Sequence, residues 1–419
     1  MFTVIRTSWP LLLGMFLLML GNGMQGTVLG LRGGIEAFES TTMGFVMAGY
    51  FAGFLGGAQA APWLVQRVGH VRVFAALASL ISAAFIIFAA VVDPIAWTLM
   101  RFVVGFCFSG VYVVAESWLN DSSTNENRGR TLSTYLMTQM FGIIVAQGLI
   151  NVADPGGYNL FVIMSVAVSI SFAPMLLSAS PAPVFSTTRR MSLGQLFKTS
   201  PLGCVGTFLL GAVFATQFGM GPVYATEIGL TKGEISIFIG AIYVGGLVLQ
   251  YPIGWLSDRM DRRALIAVVT VLGSAGCLVA LIFGGSFIAL VVTAFLVGGT
   301  SNPLYSLLIA HTNDFLEHED MASASGGLIV LNGIGAVGTP ILVGYLMQEF
   351  GPPVFLYFIA IIMAVITAYA LYRMTVRPAP SIEETSPIAP YSMVSGTQVA
   401  AEIAQEIAVE QASDSETQP

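Results

Sequence analysis

Only 9% of the 419 residues are charged, and one of them, Arg101, stands inside an apolar run, DPIAWTLMRFVVGFCFSGVYVVAESWLND. A guanidinium in lipid is expensive unless it faces water or a partner. About two helical turns separate Arg101 from Asp93-Pro94. At that depth it can face an internal cavity, binding an anionic group or tuning a nearby proton site, or it can snorkel to the nearer headgroups. Glu116 follows about 22 Å further along the same helix, rotated by about 60°. The two share a face broadly but cannot touch. A carboxylate half out of water can carry a proton.

Uncharged polar residues also interrupt apolar runs: Asn22 and Gln25, Gln139 and Gln147, Thr216 and Gln217, Tyr243 and Gln250, Asn302 and Tyr305, and Asn332. Each is either a group lining a polar passage or a helix–helix hydrogen bond. None is charged, so a solute passing them is neutral, or anionic if Arg101 meets it. No carboxylate lies at mid-depth: Glu36, Glu39, Glu227 and Glu234 fall near the ends of apolar runs. No nucleophile–base pair or nucleotide loop appears. Cys107, Cys204 and Cys277 are far apart, and His70, His311 and His318 lack metal-ligand spacing. Neither an enzyme nor a cofactor or metal is expected.

These residues are carried by long apolar stretches. Apolar side chains make up 55% of the chain and the mean hydropathy is +0.81. That much apolar surface cannot be hidden inside a water-soluble globule, so the lipid bilayer is its solvent. Twelve segments suit a membrane helix: 10–31, 41–64, 71–92, 95–119, 131–152, 158–178, 201–225, 234–257, 263–283, 285–312, 321–348 and 352–374. The fold class is therefore an all-α membrane protein of twelve transmembrane helices in two six-helix lobes. The N-terminal lobe spans 1–178, a central loop 179–200, the C-terminal lobe 201–374, and an acidic tail 375–419. The first apolar run continues to about Leu31 without a cleavage site, so it reads as a membrane helix and not a leader.

Charge placement orients these helices. With both termini in the cytoplasm, thirteen Lys/Arg residues fall on cytoplasmic segments: Arg6, Arg67, Arg72, Arg128, Arg130, Arg189, Arg190, Lys198, Arg259, Arg262, Arg263, Arg373 and Arg377. Only Arg32 and Lys232 fall outside. Positive charge gathers on the cytoplasmic side of membrane proteins. The net charge of -7 comes from the tail, where Glu383, Glu384, Glu402, Glu406, Glu410, Asp414 and Glu416 have no basic counterpart. Nothing attracts nucleic acid. Val399, Ile403 and Ile407 beside the tail glutamates permit a weak amphipathic helix, but the composition is that of a disordered segment.

The halves resemble each other. A shift of 192 lays Trp63-Leu64 on Trp255-Leu256, Arg67 on Arg259 and Gln25 on Gln217; a shift of 193 lays Asn120-Asp121 on Asn313-Asp314. A duplicated six-helix unit is the pattern of a two-lobed transporter. Gly49, Gly53 and Gly57 recur every four residues in the second span, and Gly333, Gly335, Gly338 and Pro340 crowd the eleventh. Small residues permit close backbone approach and Gly/Pro permit bending.

The segment GWLSDRMDRRALI (254–266), with Gly254, Asp258, Arg259, Asp261, Arg262 and Arg263, resembles the loop signature of the major facilitator superfamily. PWLVQRVGHVRVF (62–74) is its first-half copy, keeping Arg67, Gly69 and Arg72. Arg101 and Gly105 match an R-x-x-x-G pattern of proton-coupled members, and ESWLNDSSTNENRGR (116–130) resembles the family's acid followed by R-G-R, in the bacterial YcaD-like branch in particular. Two features depart from the family: Gln66 replaces the usual Asp in the first-half loop, and the fifth span lacks the G-P-x-x-G-G pattern of drug/proton antiporters. The second departure weighs against a multidrug assignment.

The resemblance implies a cavity lined mainly by spans 1, 4, 7 and 10, with 2, 5, 8 and 11. The expected solute-contacting residues are then Asn22, Gln25, Arg101, Gln139, Gln217, Tyr243, Asn302, Tyr305 and Asn332. It implies a cytoplasmic charge network of Arg67, Arg72, Glu116, Arg128, Arg130, Asp258, Arg259, Arg262 and Asp314 that breaks as the transporter opens. Asp258 would accept hydrogen bonds from the N-terminus of the fifth or eleventh span, and Arg259, Arg262 and Arg263 have Asp314, Glu317, Glu319 and Asp320 as candidate partners. The expected protein is a monomeric secondary transporter of the bacterial inner membrane. It moves a small organic solute by alternating access, through proton-coupled export as an antiporter. The alternatives are proton-coupled uptake or facilitated diffusion of a metabolite, or a non-transporting sensor or assembly factor with the same fold.

Overall fold

A computed structural model describes residues 2–121, 128–176, 191–283 and 286–376. The tail from 377, with its expected disorder and amphipathic periodicity, and residues 177–190, with Arg189 and Arg190, lie outside the described residues. Sixteen α-helices follow one another among the described residues: α1 (Phe2–Ile35), α2 (Ser40–Val68), α3 (His70–Ala90), α4 (Pro94–Asp121), α5 (Arg128–Leu149), α6 (Asn159–Ser171), α7 (Ala173–Leu176), α8 (Leu193–Thr199), α9 (Pro201–Phe214), α10 (Gly221–Glu227), α11 (Lys232–Ser257), α12 (Arg262–Ile282), α13 (Phe287–Asn313), α14 (His318–Val337), α15 (Thr339–Phe350) and α16 (Val354–Val376). No strand occurs among the described residues. Helices satisfy every backbone group internally, which an apolar solvent requires.

Ten helical segments among the described residues are long and apolar enough to cross a membrane. The twelve expected segments all coincide with helix, but two fall short of that standard. The 29 residues of α2 are diluted by glycine, alanine and polar side chains, and α6 is a 13-residue helix ending at Ser171.

Two spans are broken. A wider π-helical turn, Ala215–Met220, joins α9 to α10. Pro222 follows it in the first turn of α10. Proline has no N–H for the preceding turn's carbonyl and its ring crowds that turn, so the helix widens there. The eleventh span breaks at Gly338, where Pro340 opens α15; the crowding of glycine and proline had pointed to a bend at this place.

The chain packs as two compact units. Among the described residues, one is drawn from Met1–Ser186, Ala215–Gly240 and Ala336–Phe355, and the other from Thr187–Phe214, Ala241–Gly335 and Leu356–Pro419. Both breaks lie at unit boundaries, so α10 and α15 pack with the first unit while α9 and α14 pack with the second.

The same close crossing recurs in each unit. In the first, α2 lies against α4 so closely that a Cβ on Gly53 would strike the Phe102 carbonyl, and one on Gly105 the Tyr50 carbonyl. In the second, Gly245 meets the Phe295 carbonyl and Gly298 that of Ile242. These four residues are the first four displaced by 192 or 193. A second pair follows suit: Gly142 of α5 sits over the Phe16 carbonyl of α1, and Gly335 of α14 over the Phe208 carbonyl of α9. Without a hydrophobic drive between helices in lipid, such backbone approach supplies the packing. The duplication seen in scattered residues is thus a duplication of helix contacts.

Gly53→Val and Gly245→Val are each expected to destabilise the protein by about 1–3 kcal/mol through overpacking. Gly240→Ala, where nothing lies within 4 Å of the added carbon, is expected to be neutral or mildly stabilising. Thermal unfolding of purified variants in detergent measures both.

Candidate functional site

The first unit brings three of the expected solute-contacting residues together. Arg101, on α4, is only 3% exposed. Its Nη1 donates to Gln25 Oε1 at 2.9 Å, its Nη2 lies 3.4 Å from Met47 Sδ, and its guanidinium carbon is 4.8 Å from the Tyr50 ring centre. The side chain turns into the unit and does not extend to the headgroups. Gln25 Nε2 donates to Asn22 Oδ1 at 2.5 Å, and the Tyr50 hydroxyl donates to the same oxygen at 3.3 Å. Asn22 Nδ2 donates to the Tyr112 hydroxyl at 2.9 Å. Asn22 and Gln25 are three apart on α1 and face the same way, while the crossing at Gly49 and Gly53 sets Tyr50 over Arg101.

Tyr112 extends this cluster toward Glu116. Tyr112 lies one turn before Glu116 on α4, and the Tyr135 hydroxyl lies 3.4 Å from Glu116 Oε1. Glu116 is fully buried. Next to it on α4, Ser117 shares a 3.0 Å hydrogen bond with buried His70. A run of polar side chains thus leads through the unit from Arg101 to Glu116, which the helix alone holds far apart. Tyr50, Tyr112 and Tyr135 were not singled out from the sequence. For Tyr112 a signal existed, because it precedes the selected Tyr305 by 193 residues.

The other expected residues lie on α5, α11, α13, α14 and the π turn. Gln139 is fully buried on α5, and Gln217 is fully buried in the π turn. Tyr243 is half-buried on α11. Asn302 Nδ2 donates to the Gly298 carbonyl of its own helix at 2.9 Å, leaving its buried Oδ1 without a partner. Tyr305 is fully buried on α13. Asn332 Nδ2 donates to the Thr207 carbonyl at 3.1 Å and ties α14 to α9. Gln147 likewise acts in packing, donating to the Gly23 carbonyl at 2.7 Å and accepting from Thr27 at 3.1 Å.

Among the charged candidates, Arg262 and Asp314 form a buried ion pair, each side chain 2% exposed. Arg262 also donates to the Ala310 carbonyl at 3.2 Å and to Ser257 Oγ at 3.2 Å. Asp258 lies 3.9 Å from Arg262 one turn back. The other two arginines have local partners. Arg259 stacks on Trp255 at 4.1 Å and donates back to the Trp255 carbonyl at 3.0 Å. Arg263 bonds Asp261 at 2.8 Å, and Asp261 in turn caps α12 by accepting from the Arg263 backbone at 2.9 Å. Burial pushes the Asp261 carboxyl up, but the Arg263 hydrogen bonds outweigh it and leave the carboxyl below its usual value. This cap therefore contributes stability above the usual carboxylate range that is lost as pH falls through the depressed value. Arg67 repeats the Arg259 stacking on Trp63 at 5.2 Å, and Arg72 is exposed on α3. The backbones of Arg128 and Arg130 belong to α5, but their side chains lie outside the described ones.

One end of the first unit is sealed. The start of α2 meets the end of α10 through a hydrogen bond from Ser40 Oγ to Glu227 Oε1. It meets the end of α15 through Gln348, which donates to Glu39 at 3.2 Å and accepts from the Thr41 backbone at 3.4 Å. Lys232 donates to the Ala153 and Asn151 carbonyls at 2.9 and 3.2 Å, and Asn151 donates to Ser236 at 3.2 Å. Glycines let the backbones touch: Gly30 faces Pro222, Gly34 faces Thr226, Gly44 faces the Pro340 carbonyl and Gly344 the Ser40 carbonyl.

With this geometry described, the comparisons become informative. The Major Facilitator Superfamily model matches residues 11–224 and 203–405. The chain belongs to the major facilitator superfamily, a family of membrane transporters, and is a multi-pass membrane protein. Within that family it is similar to proteins described as the uncharacterized MFS-type transporter YcaD. The one from Salmonella paratyphi A is 26% identical over 356 residues, covering 84% of this chain and 91% of the relative. The one from Escherichia fergusonii is 26% identical over 351 residues, covering 82% and 90%. Among solved structures, the nucleoside transporter NupG aligns with a TM-score of 0.73 at 14% identity, covering 88% of this chain and 98% of that one. The E. coli fucose:proton symporter FucP aligns with a TM-score of 0.56 at 18% identity, covering 88% and 99%. At those identities the structural likeness establishes the fold.

Asp314→Asn leaves Arg262 buried beside a neutral amide and is expected to cost about 3 kcal/mol. Adding Arg262→Gln in the same chain is expected to recover much of that loss, because no buried charge remains unpaired. A double-mutant cycle on thermal stability measures the coupling.

Proposed function

We propose that this protein is a secondary active transporter that moves a small organic solute by alternating access, with proton-coupled export as its mode. The observation that carries the reading is the sealed end of the first unit. Its two seams, α1 on α10 and α2 on α15, are formed by glycines and closed by a few hydrogen bonds between polar side chains and backbone. Such seams are dense and are held by backbone approach and polar contacts together, and they are the contacts that opening this end must part. The breaks at the π turn and at Gly338 lie next to these seams, where a helix end that moves needs a pliable joint.

With both termini in the cytoplasm, as the distribution of lysine and arginine indicates, the sealed end is the outer one. The residence is then the inner membrane of a bacterium, with the chain acting as a monomer. Covalent halves 1–178 and 201–374 are the two lobes, joined through 179–200. Asn22, Gln25 and Arg101, with Tyr50 beside them, are the solute contacts contributed by the first lobe. Buried Glu116 is the carboxylate best placed to carry a proton, through the tyrosines that link it to the Arg101 cluster. NupG and FucP share the fold and lend no substrate to this chain.

Everted membrane vesicles with an acidified lumen and a pH-quenched dye test the mode. The panel comprises organic acids, amines, sugars and nucleosides. Proton-coupled export is expected to make one class dequench the dye in vesicles that contain the protein. Deleting residues 379–419 is expected to leave that response unchanged. Deeper quenching on solute addition would mean symport and would overturn the export mode. No response to any class, with the protein present and folded, would overturn coupled transport.

A further inference from the structure

We infer that the transported solute carries an anionic group, a carboxylate or a phosphate, and that Arg101 receives it. This rests on the transporter reading and narrows it to a class of solute.

The guanidinium of Arg101 is buried among neutral groups. Its contacts are the Gln25 amide oxygen, the Met47 sulfur and the Tyr50 ring, and its Nε has no hydrogen-bond partner. No described carboxylate reaches ion-pairing distance of it. Buried charges in proteins are normally paired, because desolvation is otherwise uncompensated. The other buried arginines among the described residues, Arg262 and Arg263, have carboxylates in Asp314 and Asp261. Arg101 lacks one.

The cluster orients the guanidinium and does not neutralise it. Gln25 is held by Asn22, and Asn22 is held in turn by Tyr112 and Tyr50. The donors of the guanidinium are therefore fixed before any ligand arrives, which is how a site gains affinity without reordering. Asn22 and Tyr50 at the margin of the cluster remain half-buried.

The fold itself does not ask for a cation here. The crossing of α2 and α4 at Gly53, Phe102 and Gly105 is repeated by α11 and α13 at Gly245, Phe295 and Gly298. In that repeat the position equivalent to Arg101 is Ala294, and the one equivalent to Tyr50 is Ile242. The crossing forms equally well around a methyl group. A charge kept where it costs stability, at a place the scaffold fills without one, marks a site that serves a ligand. Tuning a neighbouring proton site would need a carboxylate at hand. Glu116, the buried carboxylate on the same helix, is about 22 Å away along its axis.

Thermal unfolding of the full-length protein in dodecyl maltoside, an uncharged detergent, tests this. The probes are small organic carboxylates and sugar phosphates, each beside its neutral amide or unphosphorylated parent. Sodium chloride, sodium sulfate and phosphatidylglycerol are controls. At least one organic acid is expected to raise the midpoint by about 2 °C or more, its neutral counterpart not to, Arg101→Gln to abolish the shift and Arg101→Lys to keep part of it. Ligand-free Arg101→Gln is expected to be as stable as the wild type or more so, since an unpaired buried charge is gone. Neutral compounds that stabilise the wild type and Arg101→Gln alike would overturn the anionic class and leave the transporter reading standing. So would a silent panel from a protein that still moves protons in vesicles. A shift from chloride, sulfate or phosphatidylglycerol equal to that of the best acid would overturn it in favour of a structural anion or lipid site. A ligand-free Arg101→Gln midpoint well below wild type, rescued by Arg101→Lys, would overturn it in favour of a structural tether.

Discussion

Everything in this molecule depends on how closely two helix backbones can approach when lipid offers no hydrophobic drive between them. Glycine supplies that approach. Gly53 and Gly105 lock α2 to α4, Gly245 and Gly298 lock α11 to α13, and in each case the neighbour's carbonyl occupies the space a side chain would need. Contacts of this kind are dense and specific. The same device therefore serves for crossings inside a unit and for the seams at its sealed end, where Gly30, Gly34, Gly44 and Gly344 meet Pro222, Thr226, Pro340 and Ser40. Rigid crossings and separable seams differ in what surrounds the glycines, and less in the glycines themselves.

On this scaffold the polar groups divide by duty. Gln147, Asn332 and Asp261 tie helices to one another or cap them, and each finds its partners within the packing. Arg262 is fully compensated by Asp314, Ser257 and the Ala310 carbonyl. The cluster of Asn22, Gln25, Tyr50 and Arg101 differs in holding a charge that its own neighbours leave unanswered. Structural groups in a low-dielectric interior are satisfied, whereas functional ones await a partner. That contrast separates the solute contacts proposed for the first lobe from its hydrogen-bonded struts.

Much of this was legible in the sequence because membrane helices announce themselves by length and apolarity. The segments 10–31 and 95–119 lie within α1 and α4, and the offsets of 192 and 193 that relate Trp63 to Trp255 also relate the helix crossings. What stayed hidden depends on partners far apart in the chain. The π turn at Ala215–Met220 follows from Pro222, but proline in a membrane helix can equally kink it, and only packing decides. Tyr50 and Tyr112 look like core aromatics until Asn22 is placed between them. Three arginines in one loop look equivalent, yet Arg262 pairs with Asp314, Arg259 turns back along α11 onto Trp255 and Arg263 bonds Asp261.

Alternating access requires the sealed end to open, and a distance across it tests the account most directly. Spin labels at Ile35→Cys and Glu349→Cys, both exposed at that end, with Cys107, Cys204 and Cys277 replaced by alanine, report the separation by pulsed electron resonance. The account predicts a short distance in the wild type and a second, longer population that dominates in Gly344→Trp, whose side chain cannot fit against the Ser40 carbonyl. A single short distance in both proteins, with the variant folded and monodisperse, would contradict it.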